Sequence, residues 1–80
     1  MKIEVLGKGC AKCKQLEKDV YDALADLDVK ADVSKIQEIN KILEYKVMST
    51  PALVIDGQVK LAGRLPRKDE LHDFIREAQK

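Results

Sequence analysis

The hydrophobic positions divide the chain into short apolar runs and longer stretches with helical spacing. The segment Lys2–Leu6 (KIEVL) is rich in branched residues and stops at Gly7, which predicts a first strand. Apolar residues then recur at steps of three and four, which predicts a helix from about Ala11 to Asp26 with one buried face. That face consists of Cys13, Leu16, Val20, Leu24 and Leu27.

The middle of the chain predicts a second strand and a second helix. Residues 29–33 (VKADV) alternate apolar and polar, which is typical of a half-exposed strand. Ser34 precedes Gln37 by three, a spacing that predicts a capping box at the start of a helix. The buried face predicted for this helix consists of Ile36, Ile39, Ile42 and Leu43.

The last third of the chain predicts a hairpin and a final helix. Pro51 leads into a continuous apolar strand, ALVI, at 52–55, and Asp56-Gly57 is a strong signal for a two-residue hairpin turn. The return strand is expected at 59–62. A helix is expected from about Arg67 to Ala78, with Leu71, Phe74, Ile75 and Ala78 on one face.

These elements predict a single α/β domain over residues 1–80, in the order βαβ-α-ββ-α. The first two strands are joined by a helix and should be parallel, with a right-handed crossover. The hairpin strands must be antiparallel to each other. We therefore expect a four-stranded mixed sheet with helices on both faces and the first strand near its centre.

Composition narrows the range of partners. Apolar residues make up 45% of the chain and charged residues 36%, but the charges nearly cancel and leave a net charge of +1. Such a balance argues against nucleic acid or an anionic membrane as a partner. The opening segment MKIEVLGKG lacks the apolar core of a signal peptide, and no run approaches the length of a membrane span. A monomer in the cytoplasm is expected.

The segment GKGCAKCK contains the only two cysteines, Cys10 and Cys13. Cys10 falls at the start of the first predicted helix, where unpaired backbone donors and the helix dipole stabilise a thiolate. Three nearby lysines, Lys8, Lys12 and Lys14, add positive charge, so we expect the pKa of Cys10 to be lowered. Cys13 belongs to the buried face. This asymmetry fits a reversible dithiol, whereas a staple that closes a two-residue loop would contribute little stability.

The whole pattern resembles the thioredoxin-like family. A strand leads into GCAKC at a helix start, a further strand and helix follow, and Thr50-Pro51 leads into the hairpin ALVIDGQVKLAG before a last helix. The short length and the GxGCxxC opening are most similar to the small, minimal members of that family. The resemblance implies a minimal thioredoxin fold across nearly the whole chain.

The resemblance also implies an activity, that of a thiol–disulfide oxidoreductase in electron transport. Cys10 would attack and Cys13 would resolve, with the redox-active disulfide Cys10–Cys13 in place of any other cofactor. Pro51 would be the family's cis proline, and Thr50 and Gly63 would lie beside the substrate. The implied partners are a disulfide-containing protein or a glutathione-like substrate, and a separate electron donor resembling thioredoxin reductase.

The chain departs from standard thioredoxins at several positions. Gly9 stands where they have Trp before the first cysteine, and Ala11-Lys12 stands where they have Gly-Pro, which leaves the direction of the redox reaction open. Standard members also hold a buried Asp six residues before the attacking cysteine, and Glu4 occupies that position. Glu4 is thus a candidate proton shuttle if it is buried. The preferred interpretation is an exposed Glu4, because acids are rarely buried without a partner.

Two other functions fit the same cysteines. A soft-metal carrier could bind Cu(I) or Zn through CxxC, but such domains have the order βαββαβ and usually Met where this chain has Lys8. We expect no metal site, and we expect His72, the only histidine, to be a solvated residue of the last helix. The remaining alternative is a non-catalytic binding module that has kept the fold without turnover.

Overall fold

The computed structural model describes residues 1–9 and 11–79, which form four strands and three helices. In chain order these are β1 (Lys2–Leu6), α1 (Ala11–Leu27), β2 (Asp32–Ile36), α2 (Ile39–Glu44), β3 (Ala52–Ile55), β4 (Gln58–Ala62) and α3 (Lys68–Ala78). No helix within the described ranges combines the length and the apolar character that crossing a membrane requires.

The four strands form one mixed sheet in the order β2-β1-β3-β4. β1 pairs in parallel with β2 and antiparallel with β3, and β3 pairs antiparallel with β4 across the Asp56-Gly57 turn. Both turn residues have positive φ, as a type I′ hairpin turn requires. The predicted α/β fold class and the central position of β1 are confirmed, and the order of elements differs from the βαββαβ of soft-metal carriers.

Helices cover both faces of the sheet because alternate residues of the central strands point in opposite directions. Ile3 and Val5 of β1 pack in a cluster with α1 and α3, whereas Leu6 packs in a second cluster on the face that carries α2. β3 divides in the same way. Leu53 and Ile55 of β3 belong to the larger cluster, with α1 and α3. Ala52 and Val54 belong to the smaller cluster, with α2. All four residues of β3 are buried, as a continuous apolar run predicts.

The predicted bounds of the second strand are wrong. β2 begins at Asp32 and ends at Ile36, in register with β1 from Lys2↔Asp32 to Leu6↔Ile36. The pairing of β2 with β1 thus continues past residue 33, the predicted end of the strand. A further hydrogen bond of 2.9 Å, from the Gly7 amide to the Ile36 carbonyl, closes the ladder. Ser34 therefore lies inside a strand, and the capping box predicted for Ser34 and Gln37 does not form.

The predicted buried face of the second helix is also largely wrong. α2 has only six residues, or less than two turns, so it can turn few side chains toward the sheet. Ile42 is buried, but Ile39 is 49% exposed and Leu43 is 53% exposed. The residue before the helix, Glu38, makes no side-chain capping hydrogen bond. The short helix thus leaves two large apolar side chains at the surface.

His72 is not the solvated residue that the sequence predicts. Its side chain is only 15% exposed, between α1 and α3, and its Nε2 lies 3.4 Å from Asp26 Oδ2. That approach does not have hydrogen-bond geometry, so the buried Nε2 has no hydrogen-bond partner among the described residues. Lys68 Nζ is 3.7 Å from the same Asp26 oxygen. The carboxylate therefore faces two basic side chains of α3.

Candidate redox site

Cys13 lies in the first turn of α1, with its side chain turned inward. α1 begins at Ala11, and Cys13 is only 5% exposed. Its sulfur packs against the backbone of Gly7, at the end of β1, so closely that a Cβ built on Gly7 would overlap Sγ. The predicted inward orientation of Cys13 is confirmed. Cys10, the predicted attacking cysteine, lies outside the described residues.

The Thr50–Pro51 segment lies beside Gly7, the residue on which the Cys13 sulfur packs. The peptide bond between these two residues is cis, Pro51 is buried and Thr50 is exposed. The Cβ position of Gly7 is 3.8 Å from the Thr50 Cβ. The approach to β3 therefore meets the end of β1 and the start of α1 around Gly7 and Cys13, although it is distant from both in the sequence.

Gly63 follows β4 and forms a backbone hydrogen bond with Pro51. Its amide donates a hydrogen bond of 2.9 Å to the Pro51 carbonyl. Gly63 has φ +84°, a left-handed conformation that a side chain disfavours, and a Cβ there would lie 3.1 Å from the Ser49 Cβ. The structure thus places Gly63 beside the proline segment, as predicted. Its role in substrate binding stays a prediction.

The loop after Gly63 is held by a forked ion pair. Arg64 Nη1 and Nη2 donate to the two carboxylate oxygens of Glu70 at 2.8 and 2.7 Å. Glu70 Oε1 also accepts a hydrogen bond of 3.3 Å from the Arg67 amide at the start of α3. Arg67 has no side-chain acceptor to return this bond, so only half of a capping box forms. The hydrogen bonds from Arg64 lower the pKa of Glu70 to about 2.

The three lysines near the cysteines are all exposed. Lys12 and Lys14 lie in the first turn of α1, and Lys8 lies in the loop before it. Charges so exposed are screened by water and salt, which limits their influence on a neighbouring thiol. Their predicted effect on Cys10 stays a prediction.

The preferred interpretation of Glu4 as exposed is wrong. Glu4 is 7% exposed, in the middle of the central strand, and its Oε1 accepts a hydrogen bond of 2.7 Å from the Tyr45 hydroxyl. Tyr45 follows the last turn of α2 and packs on the smaller core cluster. This hydrogen bond, then burial and then the negative charge of Glu4 raise the pKa of Tyr45. The partner that makes burial of Glu4 tolerable thus comes from 41 residues away.

A shallow apolar depression of 280 Å³, the α2 groove, lies beside the proline segment. Its lining residues are Lys8, Ile39, Ile42, Leu43, Val47, Met48 and Thr50. A larger cavity of 380 Å³ lies between α1 and α3, around Asp26 and His72, and is lined by none of the predicted site residues. Of these two cavities, the α2 groove is therefore the one that adjoins the candidate redox site.

Sequence reasoning missed two residues at or near this site. The sequence pattern marks Gly7 only as the end of a strand, although a glycine between a strand and a CxxC helix is a signal for close backbone approach. Tyr45 is the second of these residues, because its hydroxyl satisfies a buried carboxylate. Nothing in the local sequence pairs Tyr45 with Glu4, because the contact depends on the way α2 crosses the sheet.

The minimal thioredoxin fold, the CxxC sequence and the Thr50–Pro51 segment beside the buried cysteine define a thioredoxin-like redox protein. Comparison with known proteins agrees. A family model described as a thioredoxin domain matches residues 1–76. The chain therefore belongs to the thioredoxin family, whose members are thiol–disulfide oxidoreductases.

Several relatives carry the name thioredoxin. A thioredoxin of Methanothermobacter thermautotrophicus is 41% identical over 75 residues, which cover 94% of this chain and 97% of the relative. A thioredoxin of Methanocaldococcus jannaschii is 30% identical over 74 residues, which cover 92% of this chain and 85% of the relative. The similarity spans nearly the whole chain rather than the cysteine motif alone.

Proposed function

We propose that this protein reduces disulfides with Cys10 as the attacking cysteine and Cys13 as the resolving one. The Cys10 thiolate attacks one sulfur of the substrate disulfide, that bond breaks, and the leaving sulfur takes up a proton. The Cys13 sulfur, as a thiolate, then attacks Cys10 and releases the second substrate thiol. Two electrons and two protons pass to the substrate, and a reductase of the thioredoxin-reductase type restores the dithiol.

The observation that carries this proposal is the position of Cys13. Its side chain is buried in the first turn of α1, with the sulfur packed against Gly7. A resolving cysteine needs to be buried, so that it does not react with other molecules before the attacking cysteine has formed the mixed disulfide. Thr50 is exposed beside Gly7 and offers backbone groups along which an extended substrate segment could lie.

The experiment is to trap the mixed disulfide with Cys13→Ser. This variant should retain a covalent adduct between Cys10 and a disulfide substrate, seen as a mass increase that a reducing agent reverses. The double variant Cys10→Ser, Cys13→Ser is the control and should retain nothing. A non-catalytic binding module would give no adduct with either variant, and that result would contradict the proposal.

We also propose that Glu4 accepts the proton that Cys13 loses. This proposal rests on the position of Glu4 six residues before Cys10 and on its burial in the central strand. Glu4→Gln keeps the size and the acceptor for Tyr45 but removes the charge. The resolving step should slow about 10-fold or more, as for loss of a general base. An unchanged rate of mixed-disulfide resolution in stopped-flow mixing would contradict this role.

A further inference from the structure

The charged residues of α1 are segregated along its length. Lys12 and Lys14 are exposed in the first turn, which contains no acidic residue, and the last turn contains no basic residue. From position 19 to the end of the helix the only charged residues are aspartates, and another aspartate follows the helix: Asp19, Asp22, Asp26 and Asp28. The net charge of +1 for the whole chain therefore conceals a basic start and an acidic end of α1.

This arrangement does not serve the stability of the helix. The helix dipole places positive partial charge at the first turn and negative partial charge at the last, so acidic residues stabilise the start of a helix and basic residues its end. The charges of α1 have the opposite order at both ends. The lysines of the first turn are therefore not explained by the fold, which directs attention to the cysteine that they flank, Cys13.

A third lysine lies on the same side of the molecule, and none of the three is neutralised. Lys8 is exposed in the loop between α1 and Gly7, on which the Cys13 sulfur packs. Within residues 1–9 and 11–79, Lys8, Lys12 and Lys14 form no ion pair with a carboxylate. These three residues, the lysine rim, thus keep their charge available to a partner.

The acidic end of the molecule is too distant to cancel the lysine rim. At about 1.5 Å per residue, Asp26 lies about 18 Å beyond Lys14 along the axis of α1. Asp32 pairs with Lys2 at the start of β1, which is the end of that strand opposite to Gly7. The Debye length at physiological ionic strength is about 8 Å. A partner at the candidate redox site therefore experiences the field of the lysines and little of the field of the aspartates.

The spacing of the lysine rim indicates a partner with an extended surface. Lys12 and Lys14 are two residues apart on a helix of about 3.6 residues per turn, so they project from nearly opposite sides of α1. Such a helix is about 10 Å wide with its side chains, and Lys8 projects from the loop before it. One carboxylate cannot reach all three lysines, whereas several acidic side chains on a protein surface can.

We infer that the lysine rim is a docking surface for a redox partner protein whose disulfide is surrounded by acidic side chains. This inference rests on the proposed function and specifies the charge of its partner. The lysines take no part in the thiol–disulfide exchange itself. They raise the rate of encounter with such a disulfide, because complementary charge steers association and suppresses partners of like charge.

The test uses three disulfide-bridged peptides that are identical except for Asp, Asn or Lys at the positions flanking the half-cystines. Each is mixed with the prereduced protein in single turnover, and each rate constant is divided by that with dithiothreitol, because neighbouring charges also change the reactivity of a disulfide. At about 0.1 M ionic strength we expect the Asp peptide to exceed the Lys peptide about 10-fold, with the Asn peptide between them. At about 1 M the ratio should approach one.

Charge variants locate the preference. Lys12→Gln combined with Lys14→Gln should lower the Asp-to-Lys ratio several-fold. Lys2→Gln combined with Lys30→Gln is the matched control, because both residues are exposed, lie at the other end of the molecule and give the same change in net charge. The control should retain the ratio. A changed pKa of Cys10 would alter the rates with all three peptides by one factor and leave their ratio unchanged.

The possible failures are distinguishable. If the wild-type protein reduces none of the peptides, the proposed function is wrong. If it reduces all three at equal normalised rates, or if the control variant lowers the ratio as much as the lysine-rim variant, the oxidoreductase proposal stands and the docking inference is overturned. Binding of a DNA duplex, measured by fluorescence anisotropy and abolished by the lysine-rim variant, would also overturn it, because the lysines would then serve a nucleic acid.

Discussion

At the scale of single residues, the packing of Gly7 against Cys13 fixes the space around the buried sulfur. Gly7 is itself buried, and its amide continues the ladder between β1 and β2. The absence of a side chain at Gly7 is what allows the Cys13 sulfur to lie against the end of the central strand. The position of the sulfur thus depends on a residue that contributes no functional group.

Gly7→Ala should therefore impair the redox site more than the fold. The added methyl would collide with Cys13 Sγ, and overpacking of this kind costs about 1–3 kcal/mol. We expect a lower free energy of unfolding in a denaturant titration and a several-fold slower reduction of a peptide disulfide. The reason for the second effect is that the added methyl displaces the sulfur that is proposed to attack the mixed disulfide.

Gly57→Ala is the control for this variant. Gly57 has φ +83° in the β3–β4 turn and no atom within 4 Å of its Cβ position. Alanine there should destabilise the fold by about 1 kcal/mol through backbone strain and leave the activity of the folded protein unchanged. Equal activity of Gly7→Ala and Gly57→Ala would show that the Gly7 contact does not position Cys13.

At the scale of elements, the backbone at the end of α1 adopts a left-handed conformation that does not suit the residue there, Asp28. Val29 N donates to the Leu24 carbonyl at 2.9 Å, and Asp28 N donates to the Ala25 carbonyl at 3.2 Å. These two bonds form a Schellman motif, in which the residue after the helix is left-handed and is usually glycine. Here that residue is Asp28, with φ 53°, and its negative charge also lies at the negative end of the helix dipole.

Asp28→Gly should stabilise the protein by about 1 kcal/mol, because it removes both the left-handed strain and the unfavourable charge. Thermal unfolding followed by circular dichroism would measure the gain as a higher midpoint. Asp28→Asn removes the charge and keeps a side chain, and should give a smaller gain. A glycine variant no more stable than the asparagine variant would contradict the backbone argument.

At the scale of the whole molecule, the Arg64–Glu70 pair joins the loop after β4 to the start of α3. The same loop holds Gly63 against Pro51, so the pair links α3 to the candidate site. The pKa of Glu70 is lowered from 4.5 to about 2 in the folded protein. A lowered pKa means that the pair stabilises the fold above about pH 4.5, and that this contribution is lost as the pH falls toward 2.

Glu70→Gln should flatten the fall in thermal midpoint between about pH 4.5 and 2. Glutamine at this position can still accept the hydrogen bond from the Arg67 amide, so the change isolates the charge. Asp69→Asn is the matched control, since Asp69 is 78% exposed and lies 3.7 Å from Arg67. If both variants unfold with the acid dependence of the wild type, Glu70 does not have the lowered pKa described here.

Local signals are enough to predict the features that depend on neighbouring residues along the chain. The period of apolar residues in α1 and α3, the continuous run of β3 and the turn at Asp56-Gly57 are local signals, and all four elements lie where they predict within two residues. The cysteine spacing and Pro51 likewise carried the family resemblance, because each motif is compact in the sequence.

The remaining features depend on partners far apart in the chain, so they are set by the packing of the assembled fold. Register with β1 extended β2 to Ile36 and displaced the start of α2. The shortened α2 then left Ile39 and Leu43 in water, and its end placed the Tyr45 hydroxyl on Glu4. Burial and hydrogen bonding are properties of the assembled sheet and helices, so no local pattern could assign them.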